Sequence, residues 1–194
     1  DGSIVYLAGN TQLQFPEHFP ANRREVSLEG NALFDISGNR RRPFIIETEQ
    51  TRIEVLGTAF HVKSSVISPF ELAVQRGEVS VTLKKNGDEI RVKAGETVTL
   101  LSDRLRLAPT RDTEQFARYT ERIQFKDEPL GNILRVLNLV LPGDIRLETT
   151  PALTGRRLTV SFRQDTPETM AELICLALDL RCQREEGRIV LTEP

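Results

Sequence analysis

The amino-terminal half of the chain alternates hydrophobic and polar residues at a period of two. The clearest alternating runs are residues 25–28, 53–56, 78–83 and 96–100. Such alternation, rich in Val and Thr, predicts half-buried strands. Asn86-Gly87 separates the apolar runs 79–83 and 90–92 and is typical of a β-hairpin. We therefore predict an all-β domain at residues 1–107, a sandwich or a barrel-like sheet of antiparallel hairpins.

The hydrophobic period becomes helical after residue 108. Residues 108–120 carry Pro109 and a charged stretch, and we interpret them as a linker that ends in a short helix. Apolar residues at 130, 133, 134 and 137 then share one face of a predicted helix 129–140. A second helix is predicted at 167–178, with Thr166 as its N-cap. Its predicted core face consists of Met170, Leu173, Ile174, Ala177 and Leu178.

These two helices belong to an internal repeat. Aligning Phe162 with Phe125 also places Met170 on Ile133. Each copy has the order strand, helix, strand. The predicted strands are residues 123–126, 145–148, 158–163 and 180–184, with a last strand at 188–192. The sequence therefore predicts a small α+β domain at residues 121–194 with repeated β-α-β units.

The charge balance argues against two classes of function. The chain has 26 Lys and Arg residues against 28 Asp and Glu, so it lacks the positive excess typical of a surface for nucleic acid or anionic membrane. The arginine triplet at 40–42 precedes Pro43 and is interpreted as a solvated turn. No apolar run approaches the roughly 18 to 20 residues that a membrane helix needs. Because Asp1-Gly2-Ser3 leads directly into a strand pattern, we expect a piece of a longer protein.

The residue types that carry catalysis are sparse. His18 and His61 are the two histidines, and alternation predicts that His61 faces solvent or a neighbouring strand. Asp35 and Glu54 alternate with apolar residues as outward strand positions should. No nucleophile elbow, phosphate-binding loop or zinc-protease motif occurs in the sequence. We therefore expect no enzymatic activity and no catalytic, cofactor-binding or metal-binding residues.

The two cysteines, Cys175 and Cys182, leave two structural alternatives open. They can form a disulfide in an oxidising compartment, because one lies on the predicted second helix and the other on the strand that returns along it. They can equally be small buried core residues. A zinc site is disfavoured, since two thiolates lack the further ligands that zinc takes.

Several strings in the first half resemble the pattern of the FecR family of anti-sigma factors. In the family's order they are Asp1-Gly2-Ser3-Ile4-Val5-Tyr6-Leu7, Leu28-Glu29-Gly30-Asn31-Ala32-Leu33-Phe34-Asp35-Ile36, Arg42-Pro43-Phe44-Ile45-Ile46-Glu47-Thr48, Val55-Leu56-Gly57-Thr58-Ala59-Phe60-His61-Val62, Gln75-Arg76-Gly77-Glu78-Val79 and Lys93-Ala94-Gly95-Glu96. The chain departs from the family pattern at four positions. Asn31 stands where Glu is usual, Leu33 where Tyr, His61 where Asn and Ala94 where Pro.

The second half resembles the domain that often follows in this family. That domain is itself similar to the short N-terminal signalling domain, STN, of TonB-dependent receptors and secretins. Residues 125–130, with the sequence Phe-Lys-Asp-Glu-Pro-Leu, are similar to its Phe-x-Asn-x-Pro-Leu entry, although Tyr119 stands where Trp is common. The two resemblances together cover nearly the whole chain.

The resemblance implies the periplasmic region of a single-pass inner-membrane protein. It implies two partners: the signalling domain of a TonB-dependent outer-membrane receptor, and an extracytoplasmic-function sigma factor bound by a cytoplasmic segment outside this chain. No nucleic-acid partner is implied, and membrane attachment would require a transmembrane helix outside this chain. The region would relay the state of the receptor to the sigma factor, and no cofactor is implied.

We expect the receptor to dock on an edge strand of the second domain. The candidates are residues 157–162, whose outward side chains would be Arg157, Thr159 and Ser161, and residues 188–192. The alternative is that these strands pair within the domain. A second hypothesis makes the first domain a carbohydrate- or small-ligand-binding envelope module, with His18, Phe19 and the 40–42 turn lining a site. A third is a purely structural envelope protein.

Overall fold

The computed structural model describes residues 1–65, 68–111, 123–141, 145–163 and 165–194. The chain divides into two compact units, Asp1–Arg111 and Asp112–Pro194. In the described residues the first unit contains strands and no α-helix, and both α-helices lie in the second unit. Neither of these helices is long and apolar enough to cross a membrane. Most of the predicted linker, residues 112–120, lies outside the described residues.

The first unit is one eleven-stranded, nearly closed sheet. Its strands are β1 (Ile4–Leu7), β2 (Gln12–Gln14), β3 (Arg24–Asp35), β4 (Phe44–Glu47), β5 (Thr51–Val55), β6 (Ala59–Ser65), β7 (Ser68–Arg76), β8 (Glu78–Leu83), β9 (Glu89–Lys93), β10 (Glu96–Leu101) and β11 (Arg104–Pro109). The hydrogen-bonded order is β11-β10-β7-β6-β3-β4-β5-β8-β9, with β1 and β2 also paired to β3. Contacts of β9 with β7 and β10 bring the two ends of this order together.

The prediction of a mostly β, barrel-like first half is confirmed, with two corrections. The β8–β9 hairpin forms as predicted, and Gly87 in its turn has φ of 78°. However, β3 and β4 run parallel, because the connection between them crosses from one end of the sheet to the other before the chain pairs again. The last strand also continues through Pro109, so the first two residues of the predicted linker belong to β11.

Strand β3 belongs to two parts of the sheet at once. Its first residues pair with β4 on one side and β2 on the other. Its last residues pair instead with β6 and β1. The change of partners falls at Gly30, whose φ of 112° is a conformation that L residues with a side chain rarely adopt.

Thr11 holds the loop between β1 and β2 against this point of β3. Its hydroxyl accepts a hydrogen bond from the Asn31 N–H at 2.9 Å and donates one to the Asn31 carbonyl at 3.0 Å. A Cβ on Gly30 would lie 2.6 Å from Thr11 Oγ1 and 2.8 Å from Thr11 Cα. Residue 30 must therefore be glycine for two reasons: its backbone has a positive φ, and Thr11 leaves no room for a Cβ.

The core of the first unit is built on stacked phenylalanines. Phe34 and Phe60 lie with ring centroids 5.2 Å apart and planes within 9° of each other, and Phe44 meets Phe34 edge-on at 6.3 Å. All three side chains are buried. Arg24 is buried beside them, with its guanidinium carbon 5.4 Å from the centre of the Phe44 ring.

Arg24 connects the start of β3 to the start of the chain. Its Nη1 donates to the Asp1 carboxylate and, at 3.2 Å, to the Ser37 carbonyl, while its Nε donates to the Arg42 carbonyl at 3.0 Å. Burial lowers the pKa of the Arg24 guanidinium from its ordinary value. Because an arginine pKa starts so high, the group stays charged, and the carboxylate and carbonyls compensate the cost of burying that charge.

The second unit has two strand-helix-strand segments and a final strand. Its elements are β12 (Ile123–Pro129), α1 (Leu130–Val140), β13 (Arg146–Thr149), β14 (Arg157–Phe162), α2 (Pro167–Leu178), β15 (Arg181–Glu185) and β16 (Arg188–Thr192), with a short 3-10 turn at Pro151–Leu153. Strands β12 and β14 form a two-stranded sheet, and β13-β16-β15 form a three-stranded one. The predicted positions of both helices and of the last strand are thus confirmed.

The first N–H groups of the two helices are bound in different ways. Thr166 caps α2, because its hydroxyl accepts a hydrogen bond from the Thr169 N–H at 3.2 Å. Helix α1 has no side-chain cap, and its first N–H groups are bound by backbone instead. Leu130 donates to the Arg156 carbonyl at 2.8 Å and Gly131 to the Thr154 carbonyl at 2.9 Å. The segment before β14 therefore satisfies the exposed end of α1.

We predict that Gly30→Ala destabilises the first unit. The positive φ alone costs a residue with a side chain about 1 to 3 kcal/mol, and the close approach to Thr11 adds to that cost. Chemical denaturation followed by circular dichroism measures the free energy of unfolding. Gly9→Ala is the matched control, because a Cβ there meets nothing within 4 Å. Equal stability of the two variants would contradict the role assigned to Gly30.

Candidate docking surfaces

The first unit buries two of the polar side chains that the sequence singles out, His61 and Asp35. No group of three or more His, Cys, Asp or Glu side chains in the described ranges is placed to hold a metal ion. His61 lies on β6 and is buried, with 3% of its surface exposed. Asp35, at the end of β3, is also buried, and its carboxylate accepts a hydrogen bond from Arg76 Nη2 at 2.8 Å.

The prediction that Asp35 faces outward is therefore wrong, and so is the solvent-facing alternative for His61. Alternation fails there because both faces of β3 are covered at its end: Leu33 and Asp35 are as buried as Ala32 and Phe34. A strand covered on both faces has no outward positions. Glu54, in contrast, is exposed as predicted.

The loop residues suggested as a ligand site do not gather into one. The Phe19 ring packs on the core beside Phe44, with centroids 6.3 Å apart, and so does not present a stacking surface. Arg42 holds this loop from the backbone side, donating to the Pro20 and Phe19 carbonyls at 2.9 Å. Arg40 and Arg41 are exposed in the turn, as predicted.

A polar concavity of about 410 Å³ lies beside β2, β3 and β4. Its lining residues are Gln12, Gln14, Ser27, Leu28, Glu29, Glu47, Thr48, Glu49, Ser64 and Lys84. Lys84 pairs with the Glu47 carboxylate at 2.8 Å, which leaves the site without excess positive charge for an anion. No aromatic side chain is present in this lining, so the stacking that favours carbohydrate binding is missing there.

Strand β14 presents the three side chains expected on its outer face. Arg157, Thr159 and Ser161 are exposed, while Leu158 and Phe162 are buried. One edge of β14 pairs antiparallel with β12. Within the described residues its other edge has no strand partner. The sequence left open the alternative that this strand pairs within its own unit. In the part of the chain that the structure describes, such pairing is found at one edge of β14 only.

Two of these three side chains stabilise a bulge in β12. The β12–β14 register shifts between Phe125 and Glu128, where Asp127 has φ of 48°. The Asp127 N–H donates to Thr159 Oγ1 at 2.9 Å. Arg157 Nε donates to the Asp127 carboxylate at 3.0 Å, and Arg157 Nη2 donates to the Asp127 carbonyl. The hydrogen bond to Asp127 raises the pKa of Arg157. Ser161, the third exposed side chain of β14, takes no part in these contacts with Asp127.

The other predicted edge strand, residues 188–192, is not an edge. Strand β16 lies in the middle of its sheet, parallel to β13 on one side and antiparallel to β15 on the other. The outer strands of this sheet, within the described residues, are β13 and β15 instead. The sequence pattern identified β15 and β16 as strands but carried no information on their order in the sheet.

Helix α2 has an exposed apolar face. Leu176 is 83% exposed and Leu173 is 38% exposed, and Ala177 is exposed beside them at helical spacing. The buried face of α2 is instead formed by Met170, Ala171, Ile174 and Cys175. The prediction that Leu173 and Ala177 are core residues is thus wrong. The signal available in the sequence was that apolar residues cover more of the helix than a single buried stripe needs.

A disulfide between Cys175 and Cys182 joins α2 to β15. Cys175 is buried on the inner face of the helix. Cys182 Sγ also lies 3.3 Å from the Ala171 carbonyl. The bond therefore links β15, an outer strand whose five residues are all exposed, covalently to the inner face of α2.

We predict that reduction of this disulfide destabilises the second unit. The cross-link closes a loop with a sequence separation of 7, for which the chain-entropy model gives about 2 to 3 kcal/mol. Denaturant unfolding followed at the helical circular-dichroism band, with and without reductant, measures the loss. A Cys175→Ala/Cys182→Ala variant should be less stable and should not respond to reductant. An unchanged unfolding midpoint of the parent chain in reductant would contradict the prediction.

Comparison with known proteins finds a family model that matches part of the first unit and solved structures that share the fold of the chain. Residues 1–80 match the model of the FecR protein family. Two crystal structures of a proposed anti-sigma factor from Parabacteroides distasonis superpose on the chain with a TM-score of 0.59 at 22% sequence identity. The superpositions cover 100% of this chain and 92% or 91% of the other. A search of curated proteins finds no match.

Proposed function

We propose that this chain is the sensing region of a FecR-type anti-sigma factor. The match of residues 1–80 to the FecR family supports this role. The solved structures of similar fold, described as those of a proposed anti-sigma factor, are consistent with it along the full chain. The sigma factor would be bound by a cytoplasmic segment of the longer protein, and this region would regulate that binding from the other side of the inner membrane.

A periplasmic location fits the chemistry of the second unit. The Cys175–Cys182 disulfide uses both cysteines of the chain. Disulfides persist in oxidising compartments such as the bacterial periplasm and are rare in the cytosol. In a reducing compartment this bond would be lost, and with it the covalent cross-link between α2 and β15.

We infer that the partner sensed is the N-terminal signalling domain of a TonB-dependent outer-membrane receptor, docked on the second unit. The observation that carries this inference is that one edge of β14 has no strand partner among the described residues, and that Ser161 is exposed near the end of this strand. An added strand forms main-chain hydrogen bonds along such an edge, and alternate side chains set the specificity. The exposed Leu176 and Leu173 of α2 supply apolar area of the kind that anchors protein interfaces.

The STN-like assignment of the second unit is part of this proposal. Its support is the order of elements, with a helix after β12 and again after β14, and the Phe125 and Leu130 positions of the resembling entry string. Both residues are buried, so the entry string contributes to the core of the unit.

We predict that the purified signalling domain of the cognate receptor binds this chain with a dissociation constant below about 100 µM. Isothermal titration calorimetry measures it. Ser161→Glu and Leu176→Glu should each weaken binding at least about fivefold, because each places a charge on the proposed contact surface. Leu101→Glu is the matched control, since Leu101 is 51% exposed on the first unit.

Two results would contradict the docking proposal. One is the absence of binding heat at several hundred micromolar partner. The other is an equal loss of affinity in the Leu101→Glu control, which would locate the contact on the first unit or indicate a non-specific effect. Circular dichroism of each variant checks that its fold is unchanged.

The anti-sigma role is tested separately by the coding sequence upstream of Asp1. We predict one apolar stretch of about 20 residues, sufficient for a single membrane helix, preceded by a cytoplasmic segment that binds a sigma factor in a pull-down. A cleavable secretory signal peptide directly before Asp1 would instead indicate an envelope protein without the anti-sigma step.

A further inference from the structure

Strand β15 is an open edge with unusual exposure. It pairs with β16 alone among the described residues. All five of its residues, Arg181–Glu185, are exposed. An unpaired strand edge of this kind presents N–H and C=O groups that another strand can bind. The strand also carries no proline or bulge that would discourage such pairing.

The β15–β16 hairpin shows which backbone groups point to this open edge. Its turn contains only Glu186 and Gly187, so Glu185 and Arg188, which flank the turn, exchange backbone hydrogen bonds. Such bonds alternate along an antiparallel pair, and Gln183 therefore also bonds to β16. The N–H and C=O groups of the intervening residues, Cys182 and Arg184, point away from β16 to the open edge.

We propose that two copies of this chain pair antiparallel through β15, about a two-fold axis at Gln183. In this register Cys182 lies opposite Arg184 of the second copy. These two residues point their backbone N–H and C=O groups to the open edge, so they form hydrogen bonds with each other across the interface. Arg181 then lies directly opposite Glu185 of the second copy. Because of the two-fold symmetry, this pair of opposite charges occurs twice in the interface. Directly opposed opposite charges stabilise a strand pair. The two three-stranded sheets would become one six-stranded sheet.

Charge complementarity selects this register over its neighbours. A shift of the axis to Arg184 would place the two Arg184 side chains opposite each other, which is repulsive. A shift to Cys182 would place Arg181 opposite Gln183 and remove the ion pairs. The strand is therefore complementary to a second copy of itself in the register centred on Gln183, as a symmetric dimer interface requires.

The groups that would form the new ion pairs are available at the surface. Glu185 already contacts Arg188 at 2.5 Å, but both side chains are nearly half exposed, and such surface pairs exchange at little cost. Arg184 pairs with Glu168 of α2 at 3.0 Å on the helix side of the sheet. That pair lies on the opposite face from Arg181 and Glu185, so it can persist in the dimer. The β14 edge proposed for the receptor is a different strand.

Charge reversal tests the register. Sedimentation equilibrium of the full chain up to several hundred micromolar should give a monomer–dimer equilibrium. Arg181→Glu and Glu185→Arg should each raise the dimer dissociation constant at least about fivefold, because each places like charges opposite each other twice. The double variant Arg181→Glu/Glu185→Arg restores opposed charges and should recover dimerisation to within about twofold of the parent.

Cross-linking tests the position of the axis directly. In the proposed register the two copies of residue 183 oppose each other in a pair without mutual hydrogen bonds, about 4.5 Å apart between Cα atoms, which is within disulfide range. Because Cys175 and Cys182 are bonded to each other, a Gln183→Cys variant carries a single free thiol. Mild oxidation should convert it to covalent dimer, whereas the exposed control Gln14→Cys should remain monomeric.

Three results would overturn the proposal. A parent chain that stays monomeric throughout the concentration range excludes the dimer. A dimer that Arg181→Glu does not weaken, or that the double variant fails to recover, uses another surface or register. A Gln183→Cys variant that cross-links no faster than Gln14→Cys shows that residue 183 does not lie on the axis. Receptor binding by the Arg181→Glu variant should remain at the parent level, which separates this interface from the docking surface.

Discussion

The architecture of the first unit depends on one strand that pairs with four others. Strand β3 exchanges its neighbours at Gly30, where the backbone takes a positive φ and Thr11 closes against it. A side chain at this position would occupy the space of the Thr11 backbone. Because β1, β2, β4 and β6 all pair with β3, the glycine at the change of partners is a constraint that the pairing of the sheet around the stacked Phe34 and Phe60 depends on.

The second unit has the opposite character, with short sheets and open edges. Its strands are fixed by local devices: the Asp127–Arg157 contacts at a bulge, the backbone cap of α1 and the Cys175–Cys182 disulfide. A unit of this size buries a modest core, so such devices matter more to it than to the first unit. Among the described residues, the edges available for partners include those of β14 and β15, and the apolar face of α2 is exposed beside them in the same unit. These open edges are the basis of our proposal that the second unit binds another protein.

Part of this structure could be predicted from residue patterns. Period-two alternation identified parts of β3, β5, β8 and β10, and Thr166 identified the start of α2, because both signals are local. The orientation of Asp35 and His61 could not be predicted, since it depends on whether both faces of β3 and β6 are covered. The position of β16 in the middle of its sheet depends on long-range pairing, which no local pattern encodes. The exposed face of α2 was missed because the helix carries apolar residues on both faces.

The central claim is that the second unit receives the receptor signal. Hydrogen–deuterium exchange of the full chain, alone and saturated with the receptor's signalling domain, tests it most directly. The account predicts slower exchange of backbone amides in β14, Arg157–Phe162, where an added strand would bond, with unchanged exchange in β3 and β6 of the first unit. Protection confined to the first unit, or no protection at saturation, would contradict it.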